Sequence, residues 1–214
     1  MLKTVPVHSF SYRPIGYLKN LFDDCNTMDE LMRNIERLAK SWSLNDEKRR
    51  KFKGDAFEFF VELFFMFHPN DSQLGLANYE PIPSKHDYGT DALATSIRTG
   101  ERCAIQVKYR LDVKTSLFKN KDKLANLVQD AHQNWGVNEP TPDDKDKYRF
   151  FVVTTSPSVT SHNFNVCCFG ISALRQKVDG NSCFWDRCRI VVEEIEKERE
   201  AKLEAKMQNQ GGTK

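Results

Sequence analysis

The sequence predicts an α/β fold, because stretches with helical periodicity alternate with short strand-like stretches. Two helix-like segments come first, a strand pair follows them, and another helix separates that pair from the apolar run "YRFFVVTTS". The chain has 214 residues, of which 39% are hydrophobic and 29% charged. These values predict a globular protein of one main domain with additions.

The first helix is predicted in "NTMDELMRNIERLAKSW". Leu31, Ile35 and Leu38 recur there at helical spacing, and Thr27 or Asn26 can cap the helix.

The second helix is predicted in "SLNDEKRRKFKGDAFEFFVELFFMFHP". Asn45 can cap it and Pro69 stops it. Its first half is basic, whereas phenylalanines surround most of its second half, which predicts burial on several sides. A carboxylate such as Glu58 is unusual in a buried apolar segment, so its presence there needs an explanation.

The strands are predicted in the middle of the chain. "NYEPIPSK" is interpreted as a loop or an edge segment, and "DALATSI" and "RCAIQVKYR" as a hairpin joined by "RTGE". A helix in "DKLANLVQDAHQNW", the strand "YRFFVVTTS", a short strand near "NVCCFG" and a helix around "SALRQKV" follow. "RIVVEEI" is left open as a strand or the start of a helix, and the tail from Glu193 is predicted as a solvated helix that frays before Gly211.

Composition excludes several classes of protein. Six cysteines without a C-x-x-C pair suggest reduced, mostly buried thiols, and a zinc site formed by Cys167, Cys168, Cys183 or Cys188 with a histidine is disfavoured. No stretch approaches the ~18–20 apolar residues of a membrane span, and the beginning of the chain lacks a secretory leader. A cytoplasmic location without a membrane partner is therefore expected.

Candidate catalytic residues lie on the hairpin and the second helix. Alternation places Gln106 and Lys108 on one strand face, which is expected to be polar, while Ile105 and Val107 point to the core. Burying these polar groups requires partners, and carboxylates are available in the sequence. They are Asp87, Asp91, Glu58 and Glu62.

Two carboxylates and an amide oxygen suit Mg²⁺ or Mn²⁺, which prefer oxygen ligands. A lysine beside such an ion can orient an attacking water or stabilise charge on a phosphorane. This chemistry points to hydrolysis of a phosphodiester.

Three motifs carry a family resemblance. "GDAFE" at 54–58, "DYGTD" at 87–91 and "QVK" at 106–108 resemble, in that order, the G-x-x-F-E, D-x-G-x-D and Q-x-K motifs of Mrr-type restriction endonucleases in the PD-(D/E)XK nuclease superfamily. "FFVVTTSPSVTSHN" and "FWDRCRIV" extend the likeness to the nuclease domain found at the front of some phage, plasmid and bacterial helicases. The resemblance covers roughly residues 54–192, and it implies a nuclease domain at 51–192 with a helical extension at 1–50 and a charged helical tail at 193–214.

The resemblance implies a restriction-endonuclease-like core with a central four-stranded mixed sheet flanked by helices. It implies that Glu58, Asp91 and Gln106 hold the metal and that Lys108 completes the catalytic set. Gln106 stands where the superfamily more often has Glu or Asp, although the Mrr-type branch has Gln. A neutral amide should weaken metal affinity and make Glu58 more necessary.

Two basic segments are candidates for contacts with DNA phosphates, with ordinary solvated faces as the alternative. The candidate DNA-binding residues are Arg49, Arg50, Lys53, Arg110, Lys114 and Lys119, with Lys121 and Lys123 in the same stretch as Lys119. The histidines His86, His132 and His162 are expected at the surface or as caps. Trp135 and Trp185 are expected to pack in the core or at its rim, with base stacking as the alternative.

Three functions remain open on the sequence alone. The first is a metal-dependent DNA endonuclease of phage, mobile-element or restriction type, acting in a bacterial or phage-infected cell. The second is an inactive nuclease-like module that binds DNA within a larger replication or helicase assembly. The third is a structural or regulatory protein whose motifs match by chance. DNA is the expected partner, a helicase or replication protein is a further candidate, and a homodimer is left open.

Overall fold

The computed structural model describes residues 18–42, 45–69, 71, 73–82, 89–118, 124–141, 143, 148–160 and 166–211. A short 3-10 helix, Lys19–Leu21, comes first. The helices are α1 (Met28–Trp42), α2 (Asp46–Phe67), α3 (Ala125–Trp135), α4 (Ile171–Val178) and α5 (Ser182–Gly211). The strands are β1 (Leu76–Pro81), β2 (Ala92–Ser96), β3 (Arg102–Lys108), β4 (Leu117–Phe118), β5 (Phe150–Thr154), β6 (Val159–Thr160) and β7 (Val166–Phe169).

The main sheet is mixed, which confirms the predicted α/β class. Over the described part of the chain it contains five strands in the order β1-β2-β3-β5-β7. The pairs β1–β2 and β2–β3 are antiparallel, whereas β3–β5 and β5–β7 are parallel. The expected count of four strands is therefore wrong, because β1 forms a full edge strand. The strands β4 and β6 form a separate parallel pair.

Helices cover both faces of the sheet. Ile105 and Val107 of β3 point to the larger core, which α1, α2 and α5 share. Ala104 points to a second core, which includes Leu127 and Ala131 of α3. The face of β3 that was expected to be polar is covered by α3, and Gln106 on that face is only 2% exposed. The strand β2 flanks residues 102–105 of β3, and β5 flanks residues 104–108 on the other side.

The predicted caps and aromatic residues of α2 are confirmed. The side chain of Asn45 accepts hydrogen bonds from the backbone N–H groups of Glu47 and Lys48. The apolar half of α2 is buried, and the ring of Phe60 lies 6.0 Å from the fully buried indole of Trp185 in α5. The "RIVVEEI" stretch belongs to α5, so the helical alternative is correct there.

The first and last segments share helices and core with the middle of the chain. Thr27 and Glu30 form a capping box at α1, since Glu30 accepts from the N–H of Asn26 and the Thr27 hydroxyl accepts from the N–H of Glu30. The proposed division at 50/51 falls within α2, and the division at 192/193 falls within α5. Both divisions stay predictions.

None of the described helices is apolar over a length that would cross a bilayer.

Candidate active site at the start of the β2–β3 hairpin

The strand β3 extends beyond the start of its neighbour β2. Ala92, the first residue of β2, pairs with Ile105, so residues 106–108 continue past it. Asp91 lies beside this extension. Its N–H donates to the carbonyl of Ile105 at 2.9 Å, and its carboxylate Oδ2 accepts from the N–H of Val107 at 2.5 Å. The Asp91 carboxylate therefore lies at the strand edge between Gln106 and Lys108, where groups from both sheet faces can reach it.

The Gln106 side chain is buried with only one of its polar atoms satisfied. Its Nε2 donates to the carbonyl of Gly89 at 2.8 Å, and this bond fixes the orientation of the amide, because a flipped amide would put two acceptors together. Its Oε1 is buried and has no hydrogen-bond partner among the described residues. A buried acceptor of this kind costs about 1–3 kcal/mol unless a further group supplies the missing contact.

The turn that precedes Asp91 is held by α3. Gly89 has a φ of +144°, and a Cβ at this position would lie 2.9 Å from the backbone carbonyl group of Asn126. The next residue, Thr90, donates its N–H to the Asp130 carboxylate at 3.0 Å. The glycine of "DYGTD" is therefore required by close packing, and Asp130 positions the turn.

Asp130 was missed by the sequence reasoning. Its helix contains several polar residues, and only the tertiary structure shows that this one is 3% exposed and contacts the turn. Asp130 also accepts from the Asn134 amide at 2.6 Å.

Three carboxylates act on Tyr79 of β1. Burial and the negative charges of Glu62, Asp91 and Glu58 raise the pKa of Tyr79 well above its usual range. Tyr79 stacks on Phe65 with ring centroids 4.6 Å apart, which places β1 beside the helix that carries Glu58 and Glu62. Glu62 is buried and Glu58 is half-buried.

Glu58 and Gln106 do not share a face of the sheet. The helix α2 packs on the face of Ile105 and Val107, while Gln106 points towards α3.

The end of β3 beyond Lys108 is fixed by two threonines. Thr154 Oγ1 donates to the carbonyl of Lys108 at 2.7 Å. Thr155 Oγ1 accepts from the N–H of Arg110 at 2.6 Å and donates to its carbonyl at 2.7 Å. The Lys108 side chain is half-buried, and it points to the same sheet face as Gln106 by strand alternation.

The predicted DNA-binding residues fall into two groups. Arg49, Arg50 and Lys53 line one cavity of about 400 Å³ at the first turns of α2. Arg110 and Lys114 are exposed on the segment that follows β3. Lys119, Lys121, Lys123, Asp87, His86 and His162 lie outside the described residues.

The remaining candidates have structural roles. Trp185 packs in the core, as expected, and its Nε1 donates to the carbonyl of Val178 at 2.7 Å. Trp135 is half-buried against the second core. His132 is exposed, and its Nδ1 lies 2.7 Å from Asn138 Oδ1, which agrees with the predicted surface role.

All six cysteines are free thiols, as expected, although Cys167 and Cys168 are half-buried and Cys183 is exposed. Burial raises the pKa of Cys25 to about 12.

Within the described part of the chain, no three His, Cys, Asp or Glu side chains form a group that could hold a metal ion. Glu58, Glu62 and Asp91 therefore do not by themselves form such a group. A Mg²⁺ ion does not require three acidic ligands, because it keeps several waters and is usually held by one or two carboxylates plus substrate phosphate. The Asp91 carboxylate and the buried Gln106 Oε1 are oxygen donors of the kind that such an ion takes.

No protein-family model matches the chain, and no curated protein or solved structure matches it significantly.

Proposed function

We propose that the chain is a Mg²⁺- or Mn²⁺-dependent endodeoxyribonuclease with a restriction-endonuclease-like core. The observation that carries the proposal is the buried Gln106 Oε1, which has no donor among the described residues and sits on the strand that binds the Asp91 carboxylate. A divalent cation would supply the missing contact. An amide oxygen and a carboxylate oxygen are both ligands that hard divalent cations prefer.

Each side chain of the site has a role in this proposal. Asp91 and Gln106 would hold the ion, with Glu58 as a further carboxylate that would contribute directly or through a water. The bound ion would polarise a phosphoryl oxygen and ease departure of the leaving alkoxide. Lys108, on the face of Gln106, orients the attacking water and stabilises negative charge on the phosphorane. The two threonine contacts hold Lys108 in register with the ligands.

A second candidate is a nuclease-like module that binds DNA without cutting it, within a larger replication or helicase assembly. It is favoured by the lack of a three-carboxylate group among the described residues, combined with a cavity rich in cations. This candidate predicts DNA binding in the absence of metal and no cleavage with any divalent ion. Both candidate functions are compatible with a helicase or replication protein as partner and with a homodimer.

A cleavage assay tests the proposal. The protein is incubated with supercoiled, linear and single-stranded DNA, with Mg²⁺, Mn²⁺ or EDTA. Asp91→Asn and Lys108→Met should each slow cleavage by at least about 100-fold, because each side chain supplies several kcal/mol of transition-state stabilisation. Lys202→Met in α5 is the matched control for removal of a lysine charge. Cleavage that survives EDTA, or that proceeds in either site variant within tenfold of the parent rate, contradicts the proposal.

A further inference from the structure

A row of cations lies between the first two helices, and we call it the α1–α2 cleft. Its cationic side chains are Arg33, Arg37, Lys40, Arg49, Arg50 and Lys53. Two cavities of about 610 and 400 Å³ form the cleft, and they share Glu36 and Lys40 in their linings. Among the described residues that line the two cavities, six are cations and two, Glu36 and Asp46, are carboxylates, so the cleft keeps a positive charge.

The α1 side of the cleft follows from helix geometry. Arg33, Arg37 and Lys40 are exposed and lie at spacings of four and three, which places them on one face of α1. They extend over about 10 Å of helix, which corresponds to about three base-pair steps of a duplex. Arg37 contacts the neutral Asn34 side chain at 3.2 Å, and Arg33 lies 3.7 Å from Glu30. These contacts are exposed and leave donors available to a ligand.

The cleft adjoins the proposed catalytic strand. Glu36 accepts from the Tyr109 hydroxyl at 3.0 Å, and Tyr109 directly follows Lys108. The second oxygen of Glu36 pairs with Lys53 at 2.7 Å. Leu111, three residues after Lys108, lines the larger cavity. A polyanion lying in the cleft therefore reaches the end of β3.

We propose that the α1–α2 cleft binds the phosphate backbone of double-stranded DNA and that α1, not only α2, supplies the contacts. The choice of DNA rests on the proposed function, because Tyr109 and Leu111, which adjoin the cleft, follow Lys108 closely in the chain. The positive charge and the span of several base pairs agree with a backbone contact that is independent of sequence. An acidic protein segment is the competing occupant.

Charge reversal tests the role of α1. Binding of a fluorescent duplex is measured by anisotropy in EDTA, at several salt concentrations, so that cleavage plays no part. Arg37→Glu combined with Lys40→Glu should weaken binding at least about tenfold. The negative slope of log affinity against log salt should become less steep by about 1.8, because two phosphate contacts are lost. Lys197→Glu combined with Lys206→Glu carries the same charge change on the exposed face of α5, and it should change affinity less than about twofold. An unchanged slope in the α1 variant overturns the proposal.

A second variant should increase binding. Glu36→Gln keeps an acceptor for the Tyr109 hydroxyl but removes a negative charge and releases Lys53 from its ion pair. Duplex affinity should rise at least about threefold, a gain that damage to the fold would not produce. Reduced or unchanged affinity contradicts the proposal.

Competition identifies the occupant. Displacement of the duplex by poly-glutamate as effectively as by unlabelled duplex, at equal charge, would assign the cleft to an acidic protein and overturn the proposal. Failure of the nuclease proposal has a different signature, since DNA would then bind in the cleft and remain uncut with Mg²⁺.

Discussion

Substitution of Gln106 by Glu should make the stability of the protein depend on a divalent cation. The Gln106 amide donates to the Gly89 carbonyl at 2.8 Å from a side chain that is 2% exposed. A carboxylate there places two acceptors together and buries a charge. We expect a cost of about 2–3 kcal/mol without metal. For a chain of this size the melting temperature should fall by about 4–12 °C.

Metal should reverse this loss. The added charge faces the ion proposed beside Asp91, so Gln106→Glu should bind Mn²⁺ more tightly than the parent. At a concentration of 100 Kd the ion stabilises the folded state by about 2.7 kcal/mol, which offsets the cost. Gln106→Leu is the control. It also loses the bond to Gly89, but it has no oxygen for the metal and should not be rescued.

Thermal unfolding of EDTA-treated protein, repeated with Mn²⁺, gives the stability of the parent and both variants. Calorimetric titration with Mn²⁺ gives their affinities. Affinity should decrease in the order Gln106→Glu, parent, Gln106→Leu. Equal affinities of the three proteins would show that Gln106 does not coordinate metal. A melting temperature of Gln106→Glu that does not change when Mn²⁺ is added would refute the reasoning.

Other predictions concern the groups around the site. Asp91→Ala should lower the free energy of unfolding by about 1–3 kcal/mol, because it leaves the Val107 N–H without its acceptor, whereas Asp91→Asn should retain the fold in urea titrations while losing Mn²⁺ affinity. Gly89→Ala should lower the free energy of unfolding by at least about 2 kcal/mol, since the added Cβ would meet the Asn126 backbone at 2.9 Å. Gly100→Ala is the control, because Gly100 has a φ of +74° but an added Cβ would have no neighbouring atom within 4 Å, and it should lower the free energy of unfolding by about 1 kcal/mol. Equal losses in the two variants would contradict the packing argument. The raised pKa of Tyr79 means that the folded phenol keeps its proton above pH 10 while the unfolded phenol loses it. The free energy of unfolding should therefore fall as pH rises past about 10, by up to about 1.4 kcal/mol per pH unit from this group, and Tyr79→Phe should lessen that fall. An identical pH dependence in the parent and Tyr79→Phe would contradict it.

Local signals made the helices predictable. Asn45 caps α2 and the helix ends just before Pro69, because capping and the lack of a proline N–H act within a few residues. The strand β3 also followed from its alternation and its hairpin with β2. These features depend on neighbours in the sequence.

The edge strand β1 was harder to predict. Asn78 adopts a φ of +52°, and the pairing with β2 shifts register between Ala77 and Glu80. A bulge of this kind, next to Pro81, resembles a loop in sequence, and only the pairing with β2 makes it a strand.

The environment of Gln106 depended on contacts far along the chain. The strand β5 pairs beside Gln106 from more than forty residues away, and Asp130 of α3 holds the turn at Thr90. Alternation correctly separates Gln106 from Ile105, but it gives no information about which helix covers each face. The sequence therefore identified Asp91 and Gln106 as neighbours and left open that Gln106 is buried.

The most direct test of the metal site is an anomalous difference map from crystals soaked in Mn²⁺ with a short DNA duplex. The account predicts a peak within about 2.5 Å of both an Asp91 carboxylate oxygen and the Gln106 Oε1, next to a DNA phosphate. The same soak of Gln106→Leu crystals should lose or strongly weaken the peak. A map of the parent protein without density at this position, or with the ion bound only elsewhere, would contradict the account.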